Sequence, residues 1–271
     1  MRDTRKNREY FQGIIEKQIN RLRSYVESIS AANRQFPFGI WFNGQDFMKA
    51  MYSIGYPMEE IAKIYPYHLY GAYKSTLCGD SSYSNWLDLI SYGVCFGCPK
   101  EITYIIAEMV DHSKLHDAVI DRLLNLTGID DCTPREKIRF NLYKYLLPAF
   151  LTEDKAEAAQ CISGYFKKWY TSFRRMGLFN DEQLTCEDRT SYLGYWCFEA
   201  AGTVKILGLD DSSFLDSPYY PKDLAHCEVE WTDEDIARIT TLYESDVVTA
   251  AQSMLKCVNE IFPNGTVRNF D

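Results

Sequence analysis

Apolar positions in this chain fall at three- and four-residue intervals, in blocks separated by Gly, Pro, Ser and Asp. Over residues 4–30, Tyr10, Ile14, Ile15, Ile19, Leu22, Val26 and Ile29 recur among Arg, Lys, Glu and Gln, which predicts one long helix with an apolar face. Similar spacing predicts helices over 43–54, from Pro57 onward with an interruption at Pro66, and over 84–94, 99–111 and 114–126. Cap signals open four more. Thr133-Pro-Arg-Glu136 predicts a helix to Pro148, and Thr152-Glu-Asp one to Arg175. Thr185-Cys-Glu-Asp188 predicts one to Leu207, and Thr232-Asp-Glu-Asp235 one to Phe262. The stretch Pro218-Tyr-Tyr-Pro-Lys-Asp223 reads as a rigid extended loop, because each Pro also biases the residue before it away from helix.

No segment alternates with period two between turns, so the predicted class is all-α. About ten helices would form a compact antiparallel bundle or stacked hairpins. The short polar stretch at 130–134 marks a boundary between two helical subdomains, 1–130 and 131–271, expected to share one core.

Composition sharpens this. With 46% hydrophobic and 25% charged residues, the 271-residue chain is globular. No apolar run reaches the length needed to cross a bilayer, and the charged start lacks an apolar export segment, so a cytoplasmic, membrane-free protein is expected. The nine cysteines are odd in number and scattered through apolar stretches, as reduced core thiols are.

Charge is distributed unevenly. Residues 1–207 hold 25 Lys/Arg against 25 Asp/Glu, whereas 208–271 hold 4 against 13, so the last quarter carries the entire net charge of −9. Such a stretch repels nucleic acid and membrane phosphates and attracts a basic protein; it also serves solubility.

Candidate chemistry is sparse. Phosphate-binding glycine motifs, HExxH and GxSxG are all missing. Asp111, His112, His116 and Asp117 place two histidines four apart, a spacing that lets helical side chains share an ion; a metal-dependent hydrolase is the alternative function on that basis, against an ordinary solvated pair. Cys95 and Cys98 have redox spacing before a helix, yet lack the preceding strand of a redox fold and a second ligand pair for zinc, so core thiols are the plainer reading. No cofactor is expected. Over 192–207 apolar residues surround most of the predicted helix, which should be central and buried. Within it, Glu199 must find an Arg, a Lys or a hydroxyl, with Arg2, Arg189 or a tyrosine as candidates, or stay protonated.

Tyr192-Leu-Gly-Tyr-Trp-Cys-Phe-Glu-Ala-Ala201, then Leu209-Asp-Asp-Ser212, then Pro218-Tyr-Tyr-Pro-Lys-Asp-Leu224 resembles the C-terminal domain of the PoNi immunity proteins. Arg2-Asp3 with Tyr10-Phe11 on a long helix is similar to their N-terminal domain. The resemblance implies an all-helical antitoxin that blocks a cognate PoNe-type DNase delivered between competing bacteria, for instance by type VI secretion, and that is not an enzyme. In this reading Trp196, Glu199, Pro221 and Asp223 mark the fold. A DNase presents a cationic groove, so its inhibitor needs clustered carboxylates. Asp210, Asp211, Asp216, Glu228, Glu230, Asp233, Glu234 and Asp235 are expected to include the toxin-facing charges, with Tyr219 or Tyr220 as anchors.

Overall fold

The computed structural model describes residues 1–78, 84–114, 117–129, 133–176, 179, 184–185 and 192–268. No strand occurs among them, and the chain is all-α. By contact it divides into two compact units, each assembled from separated stretches: Met1–Asp80, Asp181–Gly194 and Val229–Asp271 in the first, Ser81–Asn180 and Tyr195–Glu228 in the second.

The first unit begins with α1 (Arg8–Ala32), started by Asn7, whose side chain accepts from Tyr10 N, and ended by Asn33 in the left-handed conformation. Next come α2 (Phe38–Ile54), α3 (Met58–Ala62) and α4 (Tyr65–Leu77). Pro66 falls in the first turn of α4, so the expected interruption is a new helix rather than a kink, and its missing N–H leaves no bond unmade. Helix α1 packs on α2, and α2 on α4. That second crossing is close because it is made at glycines: a Cβ on Gly71 would stand 2.4 Å from Trp41 N, and one on Gly44 2.8 Å from His68 Cβ. Phe11, Ile14, Ile15, Leu22, Trp41 and Phe47 are fully buried.

The expected helix from Thr232 to Phe262 is two, here α12 (Asp233–Glu244) and α13 (Val247–Ile261). The break has a local and a tertiary cause. Asp246 caps α13 by accepting from Thr249 N at 2.8 Å, and the Ser245 carbonyl accepts from the Tyr70 hydroxyl at 2.9 Å. Helix α13 lies against α1, and α12 touches α4.

The second unit holds α5 (Ser84–Cys95), α6 (Lys100–Thr103), α7 (Ile105–Ser113), α8 (Ala118–Thr127), α9 (Lys155–Arg175), α10 (Phe198–Leu207) and the short α11 (Lys222–Ala225). Its centre is the contact of α5 with α10, where a Cβ on Gly202 would meet Ser91 Cβ at 2.6 Å.

Two sequence expectations fail in this unit. Thr133-Pro-Arg-Glu136 opens no α-helix; 133–138 is irregular, followed by 3-10 turns at Asn141–Tyr145 and Leu147–Phe150. Tertiary bonds take the backbone groups a helix would have used. Arg135 N donates to buried Asp121 at 2.9 Å, Arg139 N to buried Asp117 at 2.7 Å, and Ala118 N to Lys137 O at 2.9 Å. Of the helix expected from Thr185 to Leu207, residues 186–191 lie outside the described residues, 192–197 are not helical, and a helix runs from Phe198 to Leu207. In the second unit Cys197 N is taken by Tyr219 O at 2.9 Å. In the first, Leu193 O accepts from the Ser53 hydroxyl at 2.7 Å and Tyr192 exchanges backbone bonds with Tyr10 Oη.

Candidate functional site

The buried motif of the second unit is a satisfied core. Glu199 Oε1 accepts from the Tyr165 hydroxyl and from Trp169 Nε1, each at 2.7 Å, with both donors coming from one face of α9. Burial, reinforced by the Asp88 carboxylate, raises the Glu199 carboxyl to about 7, while the two donors act the other way. Among the described residues its side-chain hydrogen-bond partners are thus a tyrosine and an indole and not Arg2; Arg189 lies outside the described residues. Trp196 and Pro221 are buried and Asp223 is exposed. Lys205, at the end of α10, donates from Nζ to the carbonyls of Cys95 and Cys227.

The thiols are equally quiet. Cys95 and Cys98 are in no disulfide, and burial pushes their thiols well above their ordinary value, opposite to the lowering that a following helix would produce. Cys227 Sγ donates to Cys95 O at 3.2 Å.

The proposed ion site does not assemble from what is described. Asp117 is the cap of α8, one oxygen accepting from Val119 N at 2.8 Å and the other from Arg139 N. Asp111 and His112 are exposed at the end of α7, and His116 lies outside the described residues. Among the described residues no group of three or more His, Cys, Asp and Glu could hold a metal.

The ten residues expected to face a partner separate into two kinds. Asp211 and Tyr220 are buried and bonded to each other: Asp211 Oδ2 accepts from the Tyr220 hydroxyl at 2.7 Å and lies 2.6 Å from His226 Nε2. They hold the 209–226 loop together and are not surface groups. Tyr219, half-buried, stacks parallel on Tyr170 with centroids 5.1 Å apart. Asp235 closes the capping box of α12 on Thr232 and pairs with Arg238 at 2.9 Å. The other six, Asp210, Asp216, Glu228, Glu230, Asp233 and Glu234, are exposed, and among the described residues none of them has an ion-pair partner. Asp210, Asp216 and Glu228 belong to the second unit and Glu230, Asp233 and Glu234 to the first. The Ser212 amide holds the Asp210 carboxyl below its usual range, so it carries full charge.

Sequence reasoning passed over one exposed feature, a cluster of aromatic side chains at 36–42 on the first unit. The spacing of Phe38 and Phe42, one helical turn apart, carried the signal. No described helix is long and apolar enough to cross a membrane.

Comparison with known proteins agrees with the sequence resemblance over most of the chain. The family profile of the PoNe immunity protein (PoNi) N-terminal domain matches residues 4–108, and that of the PoNe immunity proteins (PoNi) C-terminal domain matches 115–224. No curated protein and no solved structure matches.

Proposed function

The chain belongs to the PoNe immunity proteins, and on that premise we propose that it acts by binding: it captures a cognate PoNe-type DNase toxin through exposed carboxylates and catalyses nothing itself. The observation that carries the binding mode is the set of six exposed carboxylates between residues 210 and 234 that have no ion-pair partner among the described residues. A nuclease that grips phosphates presents Lys and Arg in its groove, and an inhibitor that offers carboxylates to them competes with the nucleic acid for the same charges. Carboxylates at the rim chiefly speed encounter, while the few pairs that lose their water hold the complex. Protection of this kind acts in the cytoplasm, where the toxin meets DNA.

Co-expression with the neighbouring toxin provides the test. Cells should survive, and the two proteins should co-purify as a complex that loosens as salt rises. Survival without association would overturn the proposal in favour of an enzymatic antidote.

A further inference from the structure

From Ala158 to Met176 the chain holds four cations, Lys167, Lys168, Arg174 and Arg175, and no carboxylate. The helical repeat gathers all four on one side of α9, away from its buried Ile162, Tyr165, Phe166 and Trp169. That side is uncovered: the four cations and Thr171 between them are exposed, and a Cβ on Gly164 would meet nothing within 4 Å. Among the described residues Lys167, Lys168 and Arg175 have no ion-pair partner. Arg174 and Arg175 suit the negative end of the helix dipole, but that effect fades within the last turn, and Lys167 and Lys168 stand about two turns earlier.

A flank of the same helix carries the opposite sign. Phe166 and Tyr170 hold the loop that follows α10: Phe166 lies 5.6 Å from Phe214 and 5.7 Å from Tyr220 between centroids, and Tyr170 stacks on Tyr219. From Leu209 to Pro221 this loop contains three carboxylates and no cation. Asp211 turns inward to Tyr220 and His226, whereas Asp210 and Asp216 are exposed and have no ion-pair partner among the described residues. Cations and carboxylates thus flank one helix of the second unit without pairing.

A surface that carries the same two flanks in reverse order satisfies both signs at once, and a second copy related by a two-fold axis is such a surface, because every contact made by one copy is repeated by the other. A polynucleotide would suit the cationic side alone, and it would be repelled by the adjoining loop and by the net charge of −9. We propose that the second unit pairs with the second unit of another copy, the α9 cations of each facing Asp210 and Asp216 of the other. Exposed ion pairs are individually weak, so the pairing is reversible and sensitive to salt. It is read from this chain alone and stands apart from the immunity reading; where both hold, the pair covers two of the toxin-facing carboxylates, and the toxin must displace the second copy to reach them.

Sedimentation of the full chain without toxin tests the pairing. The parent should be dimeric at low ionic strength, and its dissociation constant should rise roughly tenfold or more at high salt. Reversing one flank by Lys167→Glu, Lys168→Glu and Arg175→Glu, or the other by Asp210→Lys and Asp216→Lys, should leave a folded monomer under the same conditions. An equimolar mixture of the two variants, which restores opposite charges at both contacts, should sediment as a heterodimer. Lys167→Gln with Lys168→Gln, which leaves the last turn of α9 untouched, should weaken the parent's pairing in the same direction should either reversal disturb folding. A parent that stays monomeric at low salt would overturn the proposal, as would a dimer that both reversed variants retain or a mixture that fails to re-form one. A monomeric parent that binds a DNA oligonucleotide, with that binding lost in the α9 variant, would overturn it in favour of nucleic acid.

Discussion

Two buried titratable side chains, Glu199 and His68, respond to pH in opposite directions. Burial raises Glu199 from 4.5 to about 7, so the folded protein holds a proton there that the unfolded chain releases. Its contribution is fully present below pH 4.5 and is lost as pH rises through 7, on the order of 3 kcal/mol if realised in full. Glu199→Gln keeps an acceptor for Tyr165 and Trp169 but cannot ionise; chemical denaturation should show a smaller loss of stability between about pH 5 and pH 8 than in the parent. Glu199→Leu should instead cost about 2 kcal/mol or more at low pH, because it strands two buried donors. His68 is fully buried on α4, its Nδ1 3.0 Å from Trp41 O, and burial lowers it from 6.5 to about 4. The unfolded chain binds the proton more readily, so this contribution is present above pH 6.5 and lost as pH falls through 4. A His68→Gln variant should accordingly unfold less steeply on acidification than the parent; an unchanged acid profile would show that His68 is not the group responsible.

Among the helices, the informative cases are those where a strong local signal lost. A Thr133 capping box with Pro at the first helical position is as clear a start signal as the chain contains, yet 133–138 is irregular. Asp117 and Asp121, four apart on α8, take the amides of Arg139 and Arg135, and a buried carboxylate that receives charged and backbone donors outweighs one cap. Asp121→Ala should therefore loosen 133–139, seen as faster amide exchange at Arg135 with α8 itself intact. Helix α9, by contrast, begins at its Asp154 cap, which accepts from Ala156 N at 2.8 Å and Glu157 N at 3.3 Å, and ends at Arg175, where sequence placed its end. Close packing adds a second test: Gly202→Ala sets a methyl 2.6 Å from Ser91 Cβ across the α5–α10 contact and should cost about 1–3 kcal/mol by thermal or denaturant unfolding.

For the whole molecule, charge decides how fast a partner arrives. Neutralising Asp210, Asp216, Glu228, Glu230, Asp233 and Glu234 to their amides should slow toxin association roughly tenfold or more at low salt and flatten its salt dependence, with less change in dissociation. Stopped-flow or surface-binding kinetics read this directly. The same six exposed groups contribute little to folding, so the melting temperature should barely move; a large drop would mean that they brace the fold instead of facing a partner.

The helical class, the acidic last quarter and family membership were legible because each is written locally: in three-and-four spacing, in a count of side chains, in a contiguous motif around Trp196 and Glu199. Tertiary structure decided which of those residues are spent internally. Asp211 and Glu230 look alike along the chain, yet one is locked to Tyr220 and His226 while the other faces water. It also decided that 192–197 would be irregular, that Glu199 would be met from α9, and that Val229–Asp271 would join the unit that begins at Met1. The physical reason is the same throughout: a hydrogen bond between residues far apart in sequence leaves no periodic mark on either, and only the folded chain brings donor and acceptor together.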